Sequence, residues 1–302
     1  MAPRRGEHLP VLREQVLDVL QPAGRGVLLD CTIGPGGHAE ALLDAAGSDA
    51  RLIGVDVDEA CLALARKNLR RFGSRVRLFQ ANFADVCEVL AEAGEKQIDL
   101  LLADLGVASS QLDDPDRGLS FSADGPLDMR LDRRMQRTAA GLVNRLPEAK
   151  LADLIYQFGE ERYSRRIARA IVAARKQNRI ERTSALARIV AGAIPRPARP
   201  RRRGVHPATR TFQALRIAVN DELASLERLV ERLGEVLASG GRAGVISFHS
   251  LEDRRVKQGF ARLAEAGPMK VLTRKPLTAT AEEITVNPRS RSAKLRAIER
   301  TD

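Results

Sequence analysis

Residues 29–38 of the chain read Leu-Asp-Cys-Thr-Ile-Gly-Pro-Gly-Gly-His, and residues 53–56 read Ile-Gly-Val-Asp. An apolar run, a glycine turn, a helical stretch and a second apolar run that ends in a carboxylate are typical of the first βαβ unit of a nucleotide-type cofactor site. Glycines suit the turn because a side chain there would hold the ligand away from the backbone. Asp56 is placed to accept both hydroxyls of a ribose.

Two cofactor classes fit this pattern. Gly34-x-Gly36-x-x-Ala39 also matches the dinucleotide fingerprint, in which backbone N–H groups at a helix start meet a pyrophosphate. Asp30 stands in the strand just before the glycines, where it would repel a pyrophosphate but suits the amino group of a methionine moiety. The residues therefore favour S-adenosylmethionine over NAD, with a purely structural turn as a further alternative.

The balance of charge indicates a polyanionic partner. The 302 residues include 50 Lys and Arg against 39 Asp and Glu, which gives a formal net charge of +11. Such an excess is most often associated with nucleic acid. With no Trp and two Tyr, a broad stacking platform for single strands is not expected, so recognition would rest on phosphate contacts and a shaped pocket.

Composition also excludes several classes of protein. No stretch approaches the roughly 18 consecutive apolar residues of a membrane span. The N-terminal segment is interrupted by charges and does not read as a signal peptide, so a cytoplasmic protein is expected. Three Cys and four His without metal-ligand spacing argue against a metal site.

Alternating strands and helices over the first hundred residues predict a parallel α/β sheet. The fourth strand ends near Leu105 and the next begins near Ala243, whereas a crossover unit takes roughly 30 residues. We therefore expect an inserted domain with a helical pattern. The predicted sheet domain comprises residues 1–111 and 207–302, and the inserted helical domain comprises residues 112–206.

The inserted segment carries two basic features. Arg162, Arg165, Arg166 and Arg169 lie opposite an apolar helical stripe, which fits either a solvated face or an RNA-binding face. The run from Pro195 to Gly204 is rich in Pro and Arg, so we expect a flexible loop that is either a solvated linker or an RNA phosphate contact.

Ligands of open α/β sheets bind beyond the carboxyl ends of the strands, which selects a short set of site residues. They are Asp30, the turn from Gly34 to His38, Asp56, Asn82, Phe83, Asp104, His249 and Ser250. Phe83 is a candidate for covering an adenine face, or else a core residue. Asp104 is the sharpest catalytic candidate, although capping the next turn would also explain it. Asp128, in a loop around Gly125-Pro126, is a further functional candidate.

The chain resembles the bacterial small-subunit ribosomal RNA (cytosine-N4)-methyltransferase family. The resemblance runs the length of the chain, in family order, through His8–Leu12, Asp30–His38, Asp104–Asp114, Asp124–Arg130, Gly159–Tyr163, His206–Arg216, Ile246–Asp253 and Asn287–Ser292. Departures are Ile33, where the family usually has Phe, and Ala108 and Ser110, which replace a Ser and a Pro.

This resemblance implies a class I S-adenosylmethionine-dependent methyltransferase (Rossmann-like) sheet with an inserted helical domain that recognises the RNA substrate. It implies methylation of the exocyclic N4 amine of one cytidine in the decoding centre of 16S ribosomal RNA, within the small ribosomal subunit. By match to the family motifs, the predicted cofactor contacts are Gly36, Gly37, His38, Asp56, Phe83, Asp104 and Gln111. The glycine-turn pattern adds Asp30 and Gly34 to this set.

The target amine is a weak nucleophile because its lone pair is delocalised into the ring, so an acceptor on its N–H would orient and polarise it. Asp104 is the first choice for this acceptor, with Asp128 and His249 in reserve, and the target base is expected to swing out of its stack. Two other classes stay open, a non-catalytic RNA-binding scaffold and an NAD-dependent oxidoreductase.

Overall fold

A computed structural model describes residues 10–195 and 206–302 of the chain. The chain separates into two compact units. The first comprises residues up to 106 together with residues 223–302, and the second comprises residues 107–222. Among the described residues, no helix combines the length and the apolar character that a membrane crossing requires.

The first unit is built on one mixed sheet of eight strands. Along the sheet the order is β3-β2-β1-β4-β5-β8-β6, with β7 paired to β8. The first five strands of that order are parallel, and β8 runs antiparallel to β5, β6 and β7. The strands are β1 Val27–Asp30, β2 Arg51–Asp56, β3 Val76–Gln80, β4 Ile98–Asp104, β5 Leu237–Ser247, β6 Met269–Val271, β7 Leu277–Thr278 and β8 Lys294–Arg300.

Helices cover both faces of this sheet because its parallel strands are apolar on both sides. One apolar core packs α4, α11 and α12 on one face, and a second packs α1, α2 and α3 on the other. Consecutive residues such as Leu28 and Leu29 belong to opposite cores, as strand alternation requires. The helices are α1 Arg13–Leu20, α2 Gly37–Ala46, α3 Glu59–Asn68, α4 Val86–Ala93, α11 Glu222–Val236, α12 Ser250–Ala266 and α13 Ala281–Val286.

The second unit is helical, with its own apolar core. Two helices approach closely where α7 ends, because Gly159 has no side chain to separate its backbone from that of Arg210. A Cβ atom at position 159 would lie 2.6 Å from the Arg210 carbonyl oxygen. The helices are α5 Ser109–Asp113, α6 Ala139–Arg145, α7 Glu148–Gly159, α8 Ser164–Arg175, α9 Thr183–Ala193 and α10 Thr209–Asn220.

The observed unit boundaries differ from the predicted domain boundaries. The sequence analysis assigned residues 207–302 to the sheet domain. Instead α10 packs in the second unit, because Phe212, Leu215 and Val219 belong to its apolar core. Asp221, with φ of 52°, separates α10 from α11, and the apolar residues of these two helices belong to two different cores. The first boundary lies at residue 106 rather than 111.

Substitution of Gly159 by Ala is expected to destabilise the protein by roughly 1–3 kcal/mol, because the added methyl group must push two helix backbones apart. The matched control is Gly192→Ala in α9, where an added Cβ meets nothing within 4 Å and should stabilise by about 0.5–1 kcal/mol. Urea unfolding followed by circular dichroism measures both. Equal effects of the two substitutions would contradict the close approach.

Candidate active site

Three carboxylates meet at one edge of the sheet. Asp30 ends β1, Asp56 ends β2 and Asp104 ends β4, and β1 pairs with both of the other strands. In these registers Asp30 lies opposite Gly54 on one side and Leu102 on the other, so each of the other two carboxylates stands two residues further along its strand. The parallel topology therefore brings together residues that are far apart in the chain.

The glycine turn between β1 and α2 adopts the geometry that its residues predict. Gly34 and Gly36 have φ of 50° and 94°, in the left-handed region that favours glycine. Gly36 precedes the first helical residue, Gly37, and a Cβ at position 36 would lie 3.1 Å from the Leu69 side chain. The Gly34 N–H donates to Asp56 Oδ2 at 3.0 Å, which ties the turn to the end of β2.

The two carboxylates beside this turn have raised pKa values. Burial raises the pKa of Asp30 to about 7. A hydrogen bond from the Thr32 N–H lowers this pKa in part, and the negative charge of Asp56 raises it again. Burial likewise raises the pKa of Asp56 to about 6, although hydrogen bonds from the backbone N–H groups of Asp58 and Gly34 lower it in part. The Asp30 side chain is 1% exposed, so its charge is costly without a cationic partner.

Asp104 is held through its backbone and by His38. Its N–H donates to Thr32 Oγ1 at 2.6 Å, and its Oδ2 lies 3.6 Å from His38 Nε2. Its Oδ1 is buried and accepts no hydrogen bond from residues 10–195 or 206–302. Burial raises the pKa of Asp104 well above its usual range, and the charges of Asp30 and Glu252 raise it further.

This edge has the properties of a site for a cationic ligand. Three acidic groups with raised pKa values share a small volume, and a buried carboxylate oxygen has no donor within the described ranges. A positive charge placed here would favour the ionised carboxylates and lower their pKa values. The left-handed glycines leave the turn backbone open to a close approach, so the residues fit the amino, sulfonium and ribose groups of S-adenosylmethionine.

Three further predicted residues of the first unit, His249, Phe83 and Asn82, have defined structural surroundings. His249 directly precedes α12 and caps it, because its Nδ1 accepts from the Glu252 N–H at 3.3 Å. Its Nε2 lies 3.2 Å from Glu252 Oε1. Phe83 lies in a short 3₁₀ turn after β3, half-buried against the core on one face of the sheet. Asn82 caps that turn by accepting from the Ala84 N–H.

Two predicted residues, Gln111 and Asp128, belong to the second unit, whereas Ser250 is the first residue of α12 in the first unit. Gln111 is buried, and its side-chain oxygen accepts from the Ala108 N–H at 2.9 Å. Asp128 forms a two-point ion pair with Arg130, with Nε–Oδ1 of 2.7 Å and Nη2–Oδ2 of 2.8 Å. Although partial burial raises the pKa of Asp128, the hydrogen bonds from the Arg130 side chain and backbone lower it below its usual value overall.

The loop around Asp128 is strained and braced by a residue that the sequence analysis missed. Met129 is fully buried and has φ of 66°, an uncommon conformation for a residue with a side chain. Asn220 Nδ2 donates to the Met129 carbonyl at 2.8 Å, and its Oδ1 accepts from the Leu131 N–H at 2.8 Å. Asn220 lies four residues beyond the motif that ends at Arg216. A polar Asn within a predicted apolar helix was the signal that the sequence offered.

Thr32 was also missed, although it lies inside the quoted turn. Its hydroxyl oxygen accepts from the Asp104 N–H and its own N–H donates to Asp30 Oδ1, so one residue links two of the carboxylates. A threonine between a cysteine and an isoleucine carries no periodic signal, and its role depends on the pairing of β1 with β4. Ile33 fills the space above Gly54, where an added Cβ would overlap its side chain.

Known proteins similar to this chain in sequence belong to one family. The sequence profile of the MraW methylase family matches residues 5–301. Ribosomal RNA small subunit methyltransferase H of Geobacter sp. (strain M21) is 50% identical, with 97% of this chain and 98% of the relative covered. The proteins of the same name from Sorangium cellulosum and from a Cyanothece species are 51% and 50% identical and cover 99% and 98% of this chain, with 92% and 95% of the relatives covered.

The profile match extends over almost the whole chain and includes the glycine turn, the three strand-end carboxylates and the helical unit between β4 and β5. The relatives match over nearly their full length, so the similarity is not confined to the sheet that many nucleotide-type sites share. On this evidence the chain belongs to the MraW methylase family.

Proposed function

We propose that the chain transfers the methyl group of S-adenosylmethionine to the N4 amine of a cytidine in 16S ribosomal RNA. Family membership supports methyl transfer, and the observation that carries the site assignment is Asp104 Oδ1, a buried acceptor without a donor in residues 10–195 or 206–302. The proposed target lies in the decoding centre of the small ribosomal subunit or a late precursor, in the cytoplasm.

S-adenosylmethionine supplies an electrophilic methyl group on a positively charged sulfur. Asp30 would accept from its amino group, and Asp56 would accept from its ribose hydroxyls. The backbone from Gly34 to Gly37 leaves room for a close approach, and Phe83 would cover the adenine face. His38, Asp104 and Gln111 complete the proposed cofactor contacts. The cation would also offset the cost of burying charge at Asp30 and Asp104.

The amine needs orientation more than a strong base. Effective molarity from a well-held geometry supplies roughly 7–11 kcal/mol of barrier reduction, and the amine loses its proton readily once methylated. A carboxylate acceptor on the amine N–H holds the lone pair toward the methyl group. The two oxygens of Asp104 have different surroundings, because Oδ2 lies near His38 whereas Oδ1 has no donor in the described ranges. One oxygen can therefore contact the cofactor while the other accepts from the amine.

The two reserve candidates are less suited to this task. Both oxygens of Asp128 accept from Arg130, and the side chain of His249 is engaged at the start of α12. We therefore assign the acceptor to Asp104 and give Asp128 the role of organising its loop with Arg130.

Exposed arginines on α8 supply an electrostatic contact for the RNA backbone. Arg165 and Arg166 are exposed and form no ion pair with any residue in the described ranges, whereas Arg169 lies 3.7 Å from Glu148. Glu161, four residues before Arg165, does not pair with it, because Glu161 is buried and accepts from the Tyr163 N–H. Arg289 and Arg291 are exposed on a 3₁₀ turn. The Pro- and Arg-rich run from Pro195 to Gly204 lies, apart from Pro195, outside the described residues.

Asp104→Asn is expected to lower the rate of methyl transfer by roughly 10²–10⁴-fold, because an amide is a weaker acceptor for the amine N–H. The assay follows labelled methyl from S-adenosylmethionine into small subunits that lack the modification, with the product nucleoside identified by mass. The control is Asp49→Asn, an exposed carboxylate of the same unit at the other end of β2. N4-methylcytidine formed by the variant at the wild-type rate would contradict the assignment.

Asp30→Asn is expected to stabilise the cofactor-free protein at pH 8 while weakening cofactor binding. The folded pKa of Asp30, about 7, lies above its ordinary value of 3.8, so wild-type stability is lost as pH rises between those values. Removing the carboxylate should recover at most about 4 kcal/mol at pH 8 and almost nothing at pH 4. Thermal unfolding at both pH values measures this, and a gain that does not depend on pH would contradict the buried charge.

Replacing Arg165 and Arg166 together by Gln should lower the salt dependence of RNA binding, because fewer counterions are released. The slope of log affinity against log salt should shrink by roughly 1.5–2. The control pair is Arg66 and Arg232, which form ion pairs with Glu59 and Glu235. Affinity titrations with small subunits across a salt series test this. An unchanged slope in the Arg165/Arg166 variant would assign these residues to a solvated face.

A further inference from the structure

Three aromatic rings of the second unit form a series from core to surface. Phe212 of α10 is 4% exposed, Phe121 is half-buried and His206 is exposed. The Phe121 and Phe212 rings meet edge to face with centroids 4.8 Å apart, and the Phe121 and His206 rings lie 4.6 Å apart at 37°. The exposed imidazole thus rests on an anchored aromatic ring.

Hydrogen bonds fix the position of His206 at the start of α10. Its Nδ1 accepts from the Ala208 N–H at 3.1 Å, and its carbonyl accepts from the Thr209 N–H at 3.0 Å. With Nδ1 as acceptor, the neutral ring carries its proton on Nε2. A surface ring that is held from two sides loses little conformational freedom when a planar group stacks on it.

The sequence on both sides of this ring is basic. His206 follows a run with five arginines between residues 196 and 203. Arg210, one turn further along α10, is exposed, and its Nη1 donates to the Glu160 carbonyl at 3.0 Å. Proteins bind unpaired nucleotides by combining cationic groups for the backbone with aromatic faces for the bases.

We propose that His206, supported by Phe121, is a stacking platform for an unpaired base of the RNA substrate. This inference rests on the proposed function, because it assigns a role to a surface of the same enzyme. It amends the expectation from composition that recognition uses phosphate contacts and a shaped pocket without stacking. One fixed ring is sufficient for one base, although the chain is only 3% aromatic by Phe, Trp and Tyr.

A cap of α10 is the competing role for His206, and two substitutions separate the two roles. His206→Asn keeps a side-chain acceptor at the helix start but removes the ring. His206→Phe keeps a ring on Phe121 but removes the acceptor. If the ring stacks on RNA, the Asn variant should bind RNA roughly 10-fold more weakly while the Phe variant stays near wild type. If His206 is only a cap, RNA affinity should follow thermal stability and the Phe variant should be the weaker.

The probe is a short single-stranded cytidine-rich RNA with a fluorescent end label, followed by anisotropy. A matched oligonucleotide with abasic residues keeps the phosphates and removes the bases. Wild type and His206→Phe should prefer the base-containing RNA, and His206→Asn should bind both alike. Tyr156→Ser, which removes a ring that is 61% exposed in the same unit, is the control and should leave the preference unchanged.

Methyl transfer to small subunits, run in parallel, separates failure of this inference from failure of the proposed function. The expected result is a KM for subunits raised roughly 10-fold in His206→Asn with kcat little changed and with unaltered binding of S-adenosylmethionine. Equal base preference in wild type and His206→Asn would overturn the platform, even where wild type methylates subunits. Absence of methyl transfer by wild type would overturn the proposed function, whatever the anisotropy shows.

Discussion

Burying carboxylates at the carboxyl edge of a parallel sheet is energetically costly, and the site depends on how this fold meets that cost. Asp30, Asp56 and Asp104 end three neighbouring strands, and burial raises the pKa of each. Backbone N–H donors offset part of the cost at Asp30 and Asp56. The part of the cost that is not offset favours binding of a cation at this edge. The same buried charges therefore destabilise the free site and attract the cofactor.

The glycine turn and Thr32 make this arrangement possible. Left-handed backbone at Gly34 and Gly36 turns the chain from β1 into α2 and directs the Gly34 N–H toward Asp56. Thr32 bonds to both Asp30 and the backbone of Asp104, so β1 positions acidic groups on the strands to either side. A change in this turn would therefore alter all three carboxylates together, although only one of them lies next to it in the sequence.

In the helical unit, side-chain hydrogen bonds likewise hold an unfavourable arrangement in place, here the strained loop around Asp128. Arg130 donates to both carboxylate oxygens of Asp128, and Asn220 bonds the carbonyl of the strained Met129 and the N–H of Leu131. Strain of about 1–3 kcal/mol at a buried residue persists only where neighbours over-determine the conformation. These hydrogen bonds hold the loop in one conformation, which suits a segment that is proposed to organise a binding surface. In the proposed function, the basic residues of α8 add electrostatic attraction for the RNA backbone.

The βαβ unit, the parallel sheet and the position of the inserted helical unit were predictable from the sequence, because apolar periodicity, glycine turns and charge are local properties. The approximate register of strand-end residues followed from the general behaviour of parallel sheets. Asp30 before the glycines already favoured S-adenosylmethionine, and the family motifs added the reaction and its RNA substrate. Boundaries were less accurate, since the apolar face of α10 does not reveal which of two cores will bury it.

Tertiary structure alone decided the roles of individual side chains. The pairing of β1 with β4 brings the Thr32 hydroxyl to the Asp104 backbone, and no pattern in the chain marks that contact. The same holds for Asn220 and for the ring of His206 on Phe121, because each links residues more than 80 positions apart. Sequence periodicity specifies which face of an element is buried, whereas hydrogen bonds and pKa values depend on what the fold places against that face.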